Sequence, residues 1–225
     1  MKYNKFIFDC DGVILNSNQI KKEAFQQILS QFEVDLVNIY NQSPVSKNGY
    51  SRHQKFAYFS EIILQLKGKD YDVKLSQLLE DYSNLVVSKL IYCEIPSSLE
   101  FGFNNFMSLK QVLVVSAGDE KEIKHVFEKR GLNNFVEETN IYGSPKTKQE
   151  NISNLYLEKK ILNTDKVLLI GDAAYDYEVA SKFNFDFLFV SDWTADHSFL
   201  SFVLENNISR INNLNYLENH LKSIQ

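Results

Sequence analysis

Acidic and hydroxyl side chains follow short apolar runs at three points of this 225-residue sequence. The polar groups are Asp9-Cys10-Asp11-Gly12 after residues 6–8, Ser116 after residues 112–115, and Gly171-Asp172 with Asp176 after residues 167–170. Carboxylates that converge on one point repel each other strongly unless a cation joins them, and their hard oxygens suit Mg²⁺. If the three runs end side by side, the pattern predicts a magnesium site.

A loop that carries positive charge, Gly143-Ser144-Pro145-Lys146-Thr147-Lys148, lies between the second and third of these points. An anion there would be bound by Ser116, by a lysine and by backbone N–H groups around Gly12 and Gly118. Phosphoryl transfer requires a nucleophile, charge neutralisation and positioning, and carboxylates, a hydroxyl and an ammonium around one point supply all three. The chemistry indicated is phosphoryl transfer.

Four apolar runs, at residues 6–8, 112–115, 167–170 and 187–190, stand out from the rest of the sequence. Runs of β-branched and aromatic residues like these are typical of strands buried on both faces of a parallel sheet. Helical patterns separate the last three runs, which favours right-handed βαβ units. The sequence therefore predicts an α/β fold with a Rossmann-like, doubly wound parallel sheet, whose strand ends position the polar groups.

Between the first and second runs the pattern is helical, with amphipathic segments at residues 20–32, 56–66 and 75–86. An all-helical stretch of about 80 residues is longer than a crossover connection and large enough for a small domain. We predict an α/β core domain of residues 1–16 and 96–225, with an inserted α-helical cap domain of residues 17–95.

Composition narrows the class of protein. The chain has 24 basic and 29 acidic residues, a net charge of −5 and 44% hydrophobic residues, which argues against disorder and against nucleic-acid or anionic-membrane binding. Eight glycines and three prolines are few, and favour helices with short connections. Two cysteines make no disulfide framework, and neither a signal peptide nor a membrane span is evident. We expect a cytoplasmic protein, a monomer or weak homodimer.

At the motif residues the sequence resembles the haloacid dehalogenase superfamily, in its phosphatase-like branch. Asp9-Cys10-Asp11-Gly12-Val13 matches the family's DxDGV signature, and Gly171-Asp172-Ala173-Ala174-Tyr175-Asp176 matches GDxxxD. The resemblance implies that Asp9 is the nucleophile, which forms an aspartyl-phosphate, and that Asp11 is the general acid/base. Ser116 corresponds to the Ser/Thr of the second motif. The four motifs occur in the family's order, and the helical cap follows the first.

The same resemblance implies the remaining site residues. Lys148 is our choice for the lysine of the third motif, and Lys146 is its rival. Mg²⁺ is expected at Asp9, Asp172 and Asp176, with Asp11 contributing its backbone carbonyl. Substrate and phosphate binding is expected at further positions, namely Cys10, Gly12, Ala117, Gly118, Arg52, Lys55 and Lys146.

The candidate cap loop is Asn48-Gly49-Tyr50-Ser51-Arg52-His53-Gln54-Lys55-Phe56. It looks like the specificity loop of phosphoglycolate-phosphatase-like enzymes, in which Arg52 could hold a carboxylate or phosphate in a bidentate contact and Lys55 lies on a similar helical face. The alternative is that both form surface ion pairs with acidic neighbours such as Glu61.

The presence of Asp11 favours phosphate-ester chemistry, because dehalogenases and phosphonatases of this superfamily typically lack that aspartate. The resemblance thus implies a Mg²⁺-dependent phosphatase for a small phosphorylated metabolite, such as a sugar phosphate or phosphoglycolate. A phosphomutase of the β-phosphoglucomutase type and a non-catalytic scaffold on the same fold are the alternatives. Two departures from the family pattern, Asn16 and Ala173-Ala174, remove no catalytic group.

Overall fold

A six-stranded parallel sheet forms the centre of the computed structural model, which describes residues 2–46, 50–100 and 111–224. The strands are β1 (Lys5–Phe8), β2 (Val112–Asp119), β3 (Ile141–Ser144), β4 (Val167–Gly171), β5 (Asp186–Val190) and β6 (Arg210–Ile211). Their spatial order is β3-β2-β1-β4-β5-β6. The predicted α/β class is confirmed, and the four apolar runs lie in β1, β2, β4 and β5.

The two strands at the edges of the sheet, β3 and β6, are not predicted from the sequence. The first has four residues and includes Gly143, and the second has only two residues. Neither therefore forms the continuous apolar run by which a buried strand is recognised.

Helices cover both faces of the sheet. Side chains alternate along β1, so that Phe6 and Phe8 belong to one buried cluster whereas Ile7 belongs to another. The helices that follow β2 are α6 (Glu120–Arg130), α7 (Lys148–Leu157), α8 (Ala174–Lys182), α9 (His197–Glu205) and α10 (Leu217–Ser223). Burial on both faces explains why the central strands are apolar throughout.

Among the described residues, four further helices lie between β1 and β2, and we call them the helical insert. They are α1 (Asn18–Leu29), α2 (Val34–Asn41), α3 (Arg52–Tyr58) and α4 (Gly68–Tyr92), and a short α5 (Ser97–Glu100) follows them. The predicted pattern at residues 56–66 crosses the end of α3 and a π-helical turn at Phe59–Ile63. The predicted boundary of the insert, residues 17–95, stays a prediction. Of the predicted cap loop, Asn48 and Gly49 lie outside the described residues.

The insert packs directly against the sheet. Phe56 and Phe59 of the insert share one continuous buried cluster with Phe8 of β1. Across the described part of the chain, every helix is too short or too polar to span a membrane.

The chain builds outward from β1 to β2 and β3, and then returns to place β4 on the other side of β1. In open α/β sheets, ligands bind beyond the carboxyl ends of the strands at the point where the strand order reverses. The end of β1 and the end of β4 flank that point here, and these are the strands that precede Asp9 and Asp172.

Candidate active site

Three buried carboxylates meet where the strand order reverses. Asp9 follows β1, Asp172 follows β4 and Asp176 lies in the first turn of α8, and one oxygen of each lies within 4.8 Å of the others. Their exposed fractions are 7%, 5% and 1%. The Asp9 Oδ1 atom accepts a hydrogen bond of 2.7 Å from the backbone N–H of Cys10. The parallel sheet thus brings together three of the four acidic residues that the sequence predicts as one group.

Glycine is required at two positions for the carboxylates to come this close. Gly12 has a φ of +76°, and a Cβ atom there would lie 2.2 Å from Asp172 Oδ2. A Cβ atom on Gly171 would lie 2.4 Å from the Cβ atom of Asp176. Both distances are far below van der Waals contact, so the two glycines of the motifs create the space that the acidic side chains occupy.

The ammonium of Lys148 lies among these carboxylates. Its Nζ atom is 2.9 Å from Asp9 Oδ1 and also contacts Asp176 Oδ1. Lys148 is the first residue of α7, which begins with a capping box in which Thr147 and Glu150 satisfy each other's backbone N–H groups. The cap fixes where the helix begins and thereby directs Lys148 towards the strand ends.

Lys146, the other lysine of this loop, is exposed and does not line the cavity described below. Of the two lysines that the sequence leaves as rivals, only Lys148 lies beside the carboxylates.

The three clustered carboxylates together hold more negative charge than the ammonium of Lys148 balances. Burial, and then the charges of Asp176 and Asp11, raise the pKa of Asp9 to about 7, against the opposing effect of Lys148. Burial and the adjacent Asp9 likewise raise the pKa of Asp172 well above its usual range. Within the described residues, the buried Oδ2 atom of Asp176 has no hydrogen-bond partner. Hard oxygens, excess negative charge and an unpaired buried oxygen together fit a divalent cation such as Mg²⁺.

Asp11 lies apart from the three clustered carboxylates and faces the helical insert. Its side chain accepts hydrogen bonds of 2.5 Å from Ser17 Oγ and from Lys21 Nζ. Burial opposes ionisation, but the Lys21 ammonium and these hydrogen bonds outweigh it and lower the pKa of Asp11. The side chain of Asp11 is therefore held as a carboxylate next to a cation.

The predicted phosphate-binding groups of the core differ in their access to the site, because Ala117 and Gly118 line the cavity described below whereas Cys10, Gly12 and Ser116 do not. Ser116 is fully buried within β2, three residues before the strand ends at Asp119, and its Oγ atom accepts a hydrogen bond of 3.0 Å from the N–H of Gly118. The N–H of Gly12 donates to the carbonyl of Leu15 at 2.8 Å. Both glycine N–H groups that the sequence assigns to anion binding thus have acceptors within the protein.

A cavity of about 350 Å³ lies between the carboxylates and the helical insert. This is the size of site that encloses a small metabolite. Ala117 and Gly118 line it from the core, and its insert side is lined by aromatic and basic residues, among them Phe25, Tyr40, Tyr82, Lys21 and Lys55.

Arg52 also lines the cavity, but it pairs with the core and not with Glu61. Its guanidinium lies 2.7 Å from Glu122 Oε1 and 3.3 Å from Asp119 Oδ2, and its side chain is 7% exposed. His53 Nε2 lies 3.2 Å from the same Asp119 oxygen. The start of α3 is therefore joined to the start of α6 by charged groups, so that both carboxylates already balance the charge of Arg52.

Two residues of α1 that sequence reasoning misses reach the site. Asn18 Nδ2 donates to Asp172 Oδ2 at 2.9 Å and to the carbonyl of Trp193 at 2.8 Å, and Lys21 binds Asp11 as described. A signal for them exists, because residues three apart share one face of a helix. A helix that begins directly after the first motif presents such a face to the strand ends.

Comparison with known proteins identifies the family. The model of the family described as haloacid dehalogenase-like hydrolase matches residues 6–190. No curated protein sequence matches the chain.

Solved structures share the fold at low sequence identity. A β-phosphoglucomutase from Clostridium difficile is 14% identical with a TM-score of 0.65, over 99% of this chain and 98% of that chain. A candidate hydrolase of the same family, YfnB from Bacillus subtilis, solved bound to magnesium, is 16% identical with a TM-score of 0.61, over 99% and 100%. A candidate phosphoglycolate phosphatase from Lactobacillus plantarum is 17% identical with a TM-score of 0.58, over 97% and 99%.

The family match covers most of the chain, and the motif residues lie together at the point where the strand order reverses. The chain belongs to the haloacid dehalogenase-like hydrolase family.

Proposed function

We propose that this protein is a Mg²⁺-dependent phosphatase that hydrolyses a small phosphorylated metabolite through an aspartyl-phosphate on Asp9. The observation that carries the proposal is the position of Asp9, which lies 2.9 Å from the ammonium of Lys148 and within 4.8 Å of carboxylate oxygens of Asp172 and Asp176. A nucleophile next to a fixed ammonium and a cation site is the arrangement that phosphoryl transfer requires.

In the first step, Asp9 attacks phosphorus and the bond from phosphorus to the leaving oxygen breaks. Asp9 Oδ1 already binds the N–H of Cys10 and the ammonium of Lys148, so Oδ2 is the oxygen that we assign as the nucleophile. Lys148 and the Ser116 hydroxyl stabilise the charge on the phosphoryl oxygens. A bound Mg²⁺, held by Asp9, Asp172 and Asp176, would add further neutralisation of that charge.

Asp11 handles the protons of both steps in this proposal. In its protonated form it gives a proton to the leaving oxygen, which departs as an alcohol, and the carboxylate so formed then takes a proton from the water that attacks the aspartyl-phosphate, which restores the acid form. The products are the alcohol, inorganic phosphate and regenerated Asp9. The ion pair with Lys21 favours the carboxylate form of Asp11, which accepts the proton from water, whereas donation in the first step requires the acid form, which the negative charge of a phosphate ester beside Asp11 would favour.

The helical insert acts as the cap in this scheme. It lines the side of the cavity opposite the carboxylates and therefore contacts the leaving group. Enclosure by the insert limits access of bulk water and makes the insert the region that selects the substrate.

The test is phosphate release from p-nitrophenyl phosphate and from a panel of phosphorylated metabolites, with Mg²⁺ and with a chelator. We expect activity only with the metal, and Asp9→Asn should lower kcat at least about 10⁴-fold, as loss of a nucleophile does. Asp70→Asn, an exposed position on α4, is the matched control and should match the parent.

An Asp9→Asn variant with more than a tenth of the parent activity would contradict the nucleophile assignment. Isomerisation of a hexose 1-phosphate primed by a bisphosphate, without net phosphate release, would identify a phosphomutase. Metal binding without turnover of any phosphate ester would identify a non-catalytic scaffold.

A further inference from the structure

Asn18, the first residue of α1, supports one of the carboxylates expected to bind the cation. Among the described residues, its side chain is the one that donates a hydrogen bond to the carboxylate of Asp172, at 2.9 Å to Oδ2. The other oxygen, Oδ1, accepts no hydrogen bond from this part of the chain. The amide of Asn18 therefore occupies one oxygen of Asp172 and leaves the other for an ion.

The amide of Asn18 is itself held in place by a second acceptor. Its nitrogen also donates to the carbonyl of Trp193 at 2.8 Å. Trp193 lies in the segment between β5 and α9, residues 191–196, which we call the β5–α9 loop. An amide nitrogen carries two N–H groups in fixed directions, so the side chain of Asn18 cannot rotate without losing both hydrogen bonds.

The β5–α9 loop holds the backbone on both sides of Ala173. The hydroxyl of Thr194, a buried residue, donates to the backbone carbonyl of Asp172 at 2.5 Å, and the N–H of Ala174 donates to Asp196 Oδ2 at 3.2 Å. The loop thus fixes the backbone of Asp172, whereas the amide from α1 fixes its side chain.

This support comes from outside the segment that carries Asp172. The next two residues along the chain are Ala173 and Ala174, whose side chains offer no hydrogen-bond donor. The segment therefore has no hydroxyl or amide of its own with which to orient the carboxylate in the turn that leads into α8.

Gly12 leaves the space in which this hydrogen bond forms. A Cβ atom at Gly12 would lie 2.5 Å from Asn18 Nδ2 and 2.2 Å from Asp172 Oδ2. Any larger residue would therefore displace the donor and the acceptor together.

We propose that Asn18 is a positioning residue of the cation site, which holds Asp172 Oδ2 and the β5–α9 loop together in the arrangement that binds Mg²⁺. The inference rests on the function proposed above, because that function requires the cation. Side chains that hydrogen-bond to a metal ligand orient it, and their removal typically lowers metal affinity about 10- to 100-fold. Since α1 belongs to the helical insert, the insert contributes to the cation site and not only to the substrate side of the cavity.

The experiment measures Mg²⁺ binding directly, by calorimetric titration of the metal-free protein. Asn18→Leu keeps the approximate shape of the side chain and removes both donors, so we expect the dissociation constant for Mg²⁺ to rise about tenfold or more. The Mg²⁺ concentration that gives half-maximal hydrolysis of p-nitrophenyl phosphate should rise by the same factor. At saturating Mg²⁺, KM for this substrate should change less than about twofold.

The matched control is Gln19→Leu, which makes the same change one residue along α1, where the amide is exposed and hydrogen-bonded to Glu23. It should bind Mg²⁺ as the parent does. Asn18→Ala is the second variant, for use if Asn18→Leu does not fold, and should also raise the dissociation constant.

Melting temperatures with Mg²⁺ and with a chelator separate positioning from a merely structural role. Loss of a structural contact lowers both temperatures equally, whereas loss of a positioning residue reduces the rise that Mg²⁺ produces, because that rise depends on the affinity for the ion.

The two proposals fail in different ways. If the parent binds Mg²⁺ and hydrolyses phosphate esters, but the Asn18 variants bind Mg²⁺ equally tightly or lose melting temperature equally with and without it, the positioning role is wrong and the phosphatase function stands. If the variants bind Mg²⁺ more weakly than the parent and no phosphate ester is hydrolysed, the positioning role stands and the phosphatase function is wrong. A parent that binds no Mg²⁺ overturns both.

Discussion

The core side and the insert side of the cavity obtain their charged groups in different ways. On the core side, Asp9, Asp172 and Lys148 come from the ends of strands or the first turn of a helix, where the backbone fixes their direction. On the insert side, Lys55 and Arg52 come from a helix whose placement depends on packing against the core. In the function that we propose, strand ends therefore position the groups that carry out the chemistry, whereas tertiary packing positions the groups that select the substrate.

The largest expected effect comes from the core side. Lys148→Met leaves Asp9 and Asp176 without their shared counter-charge, and we expect kcat to fall about 10³-fold, as when a fixed charge-stabilising group is removed from an active site. Lys146→Met, two residues away on the exposed loop, should leave kcat within about twofold of the parent. Steady-state phosphate release measures both variants, with circular dichroism to verify folding.

Equal losses in the two lysine variants would show that the loop as a whole, and not the ammonium beside Asp9, supports the reaction. A loss in Lys146→Met alone would reverse the assignment of the motif lysine.

The next largest effect tests the ion pairs that link α3, on the insert side, to the start of α6, on the core side. Arg52→Met leaves Asp119 and Glu122 without their partner, and we expect the free energy of unfolding to fall by about 3 kcal/mol, the cost of breaking a buried ion pair. Urea denaturation measures the change. Arg210→Met, at an exposed position in β6, should leave the free energy of unfolding nearly unchanged.

If Arg52→Met raises KM but has the same stability as the parent, Arg52 binds the substrate and does not stabilise the contact between α3 and α6. A double-mutant cycle with Glu122→Gln then isolates the coupling of the pair, which we expect to lie between about 0.5 and 3 kcal/mol.

The smallest effect concerns the pH dependence of stability without metal. The pKa of Asp9 is raised from 3.8 to about 7 in the folded protein, and that of Asp172 is raised as well. The folded state therefore holds more protons than the unfolded state in this window, so stability falls as the pH rises from about 4 to about 7. Mg²⁺ should offset that loss, because it binds the ionised carboxylates.

Thermal unfolding with Mg²⁺ or with a chelator checks this expectation. The melting temperature should rise on adding Mg²⁺ by about 2–6 °C at a pH near 7.5, which corresponds to about 1–2 kcal/mol for a chain of this size. The rise should be smaller near pH 5, where the carboxyl groups are partly protonated. A metal site built on Asp9 and Asp172 would be contradicted if Mg²⁺ raised the melting temperature equally at both pH values, or did not raise it at either.

Sequence patterns predict most of the core side. The apolar runs specify β1, β2, β4 and β5, and the polar residues directly after three of these runs must lie towards one edge of a parallel sheet. The choice of Lys148 over Lys146 rests on the family resemblance, and the capping box from Thr147 to Glu150 explains why Lys148 is the first residue of α7. Local signals are sufficient here because the backbone geometry of a strand end or helix start is itself local.

The insert side is predicted less well, and the reason is physical. Nothing near Arg52 in the sequence indicates that its partners are Asp119 and Glu122, about 70 residues away. Lys21 contacts Asp11 only because α1 turns back over the strand ends. Contacts that depend on how two layers pack leave no local pattern in the sequence. Charged residues of the insert can therefore be recognised from the sequence, but their ion-pair partners cannot.

The position of β1 in the middle of the sheet has a consequence for amide hydrogen exchange. β1 is hydrogen-bonded to β2 on one side and to β4 on the other, and the N–H of Asp9 donates to the carbonyl of Ile170 at 2.9 Å. Local openings of a native protein start at edge strands and peripheral helices, whereas the central strands exchange only on global unfolding. We therefore expect the aspartate that we assign as the nucleophile to follow the slowest-exchanging part of the backbone, so that local fluctuations of the insert should leave its position unchanged.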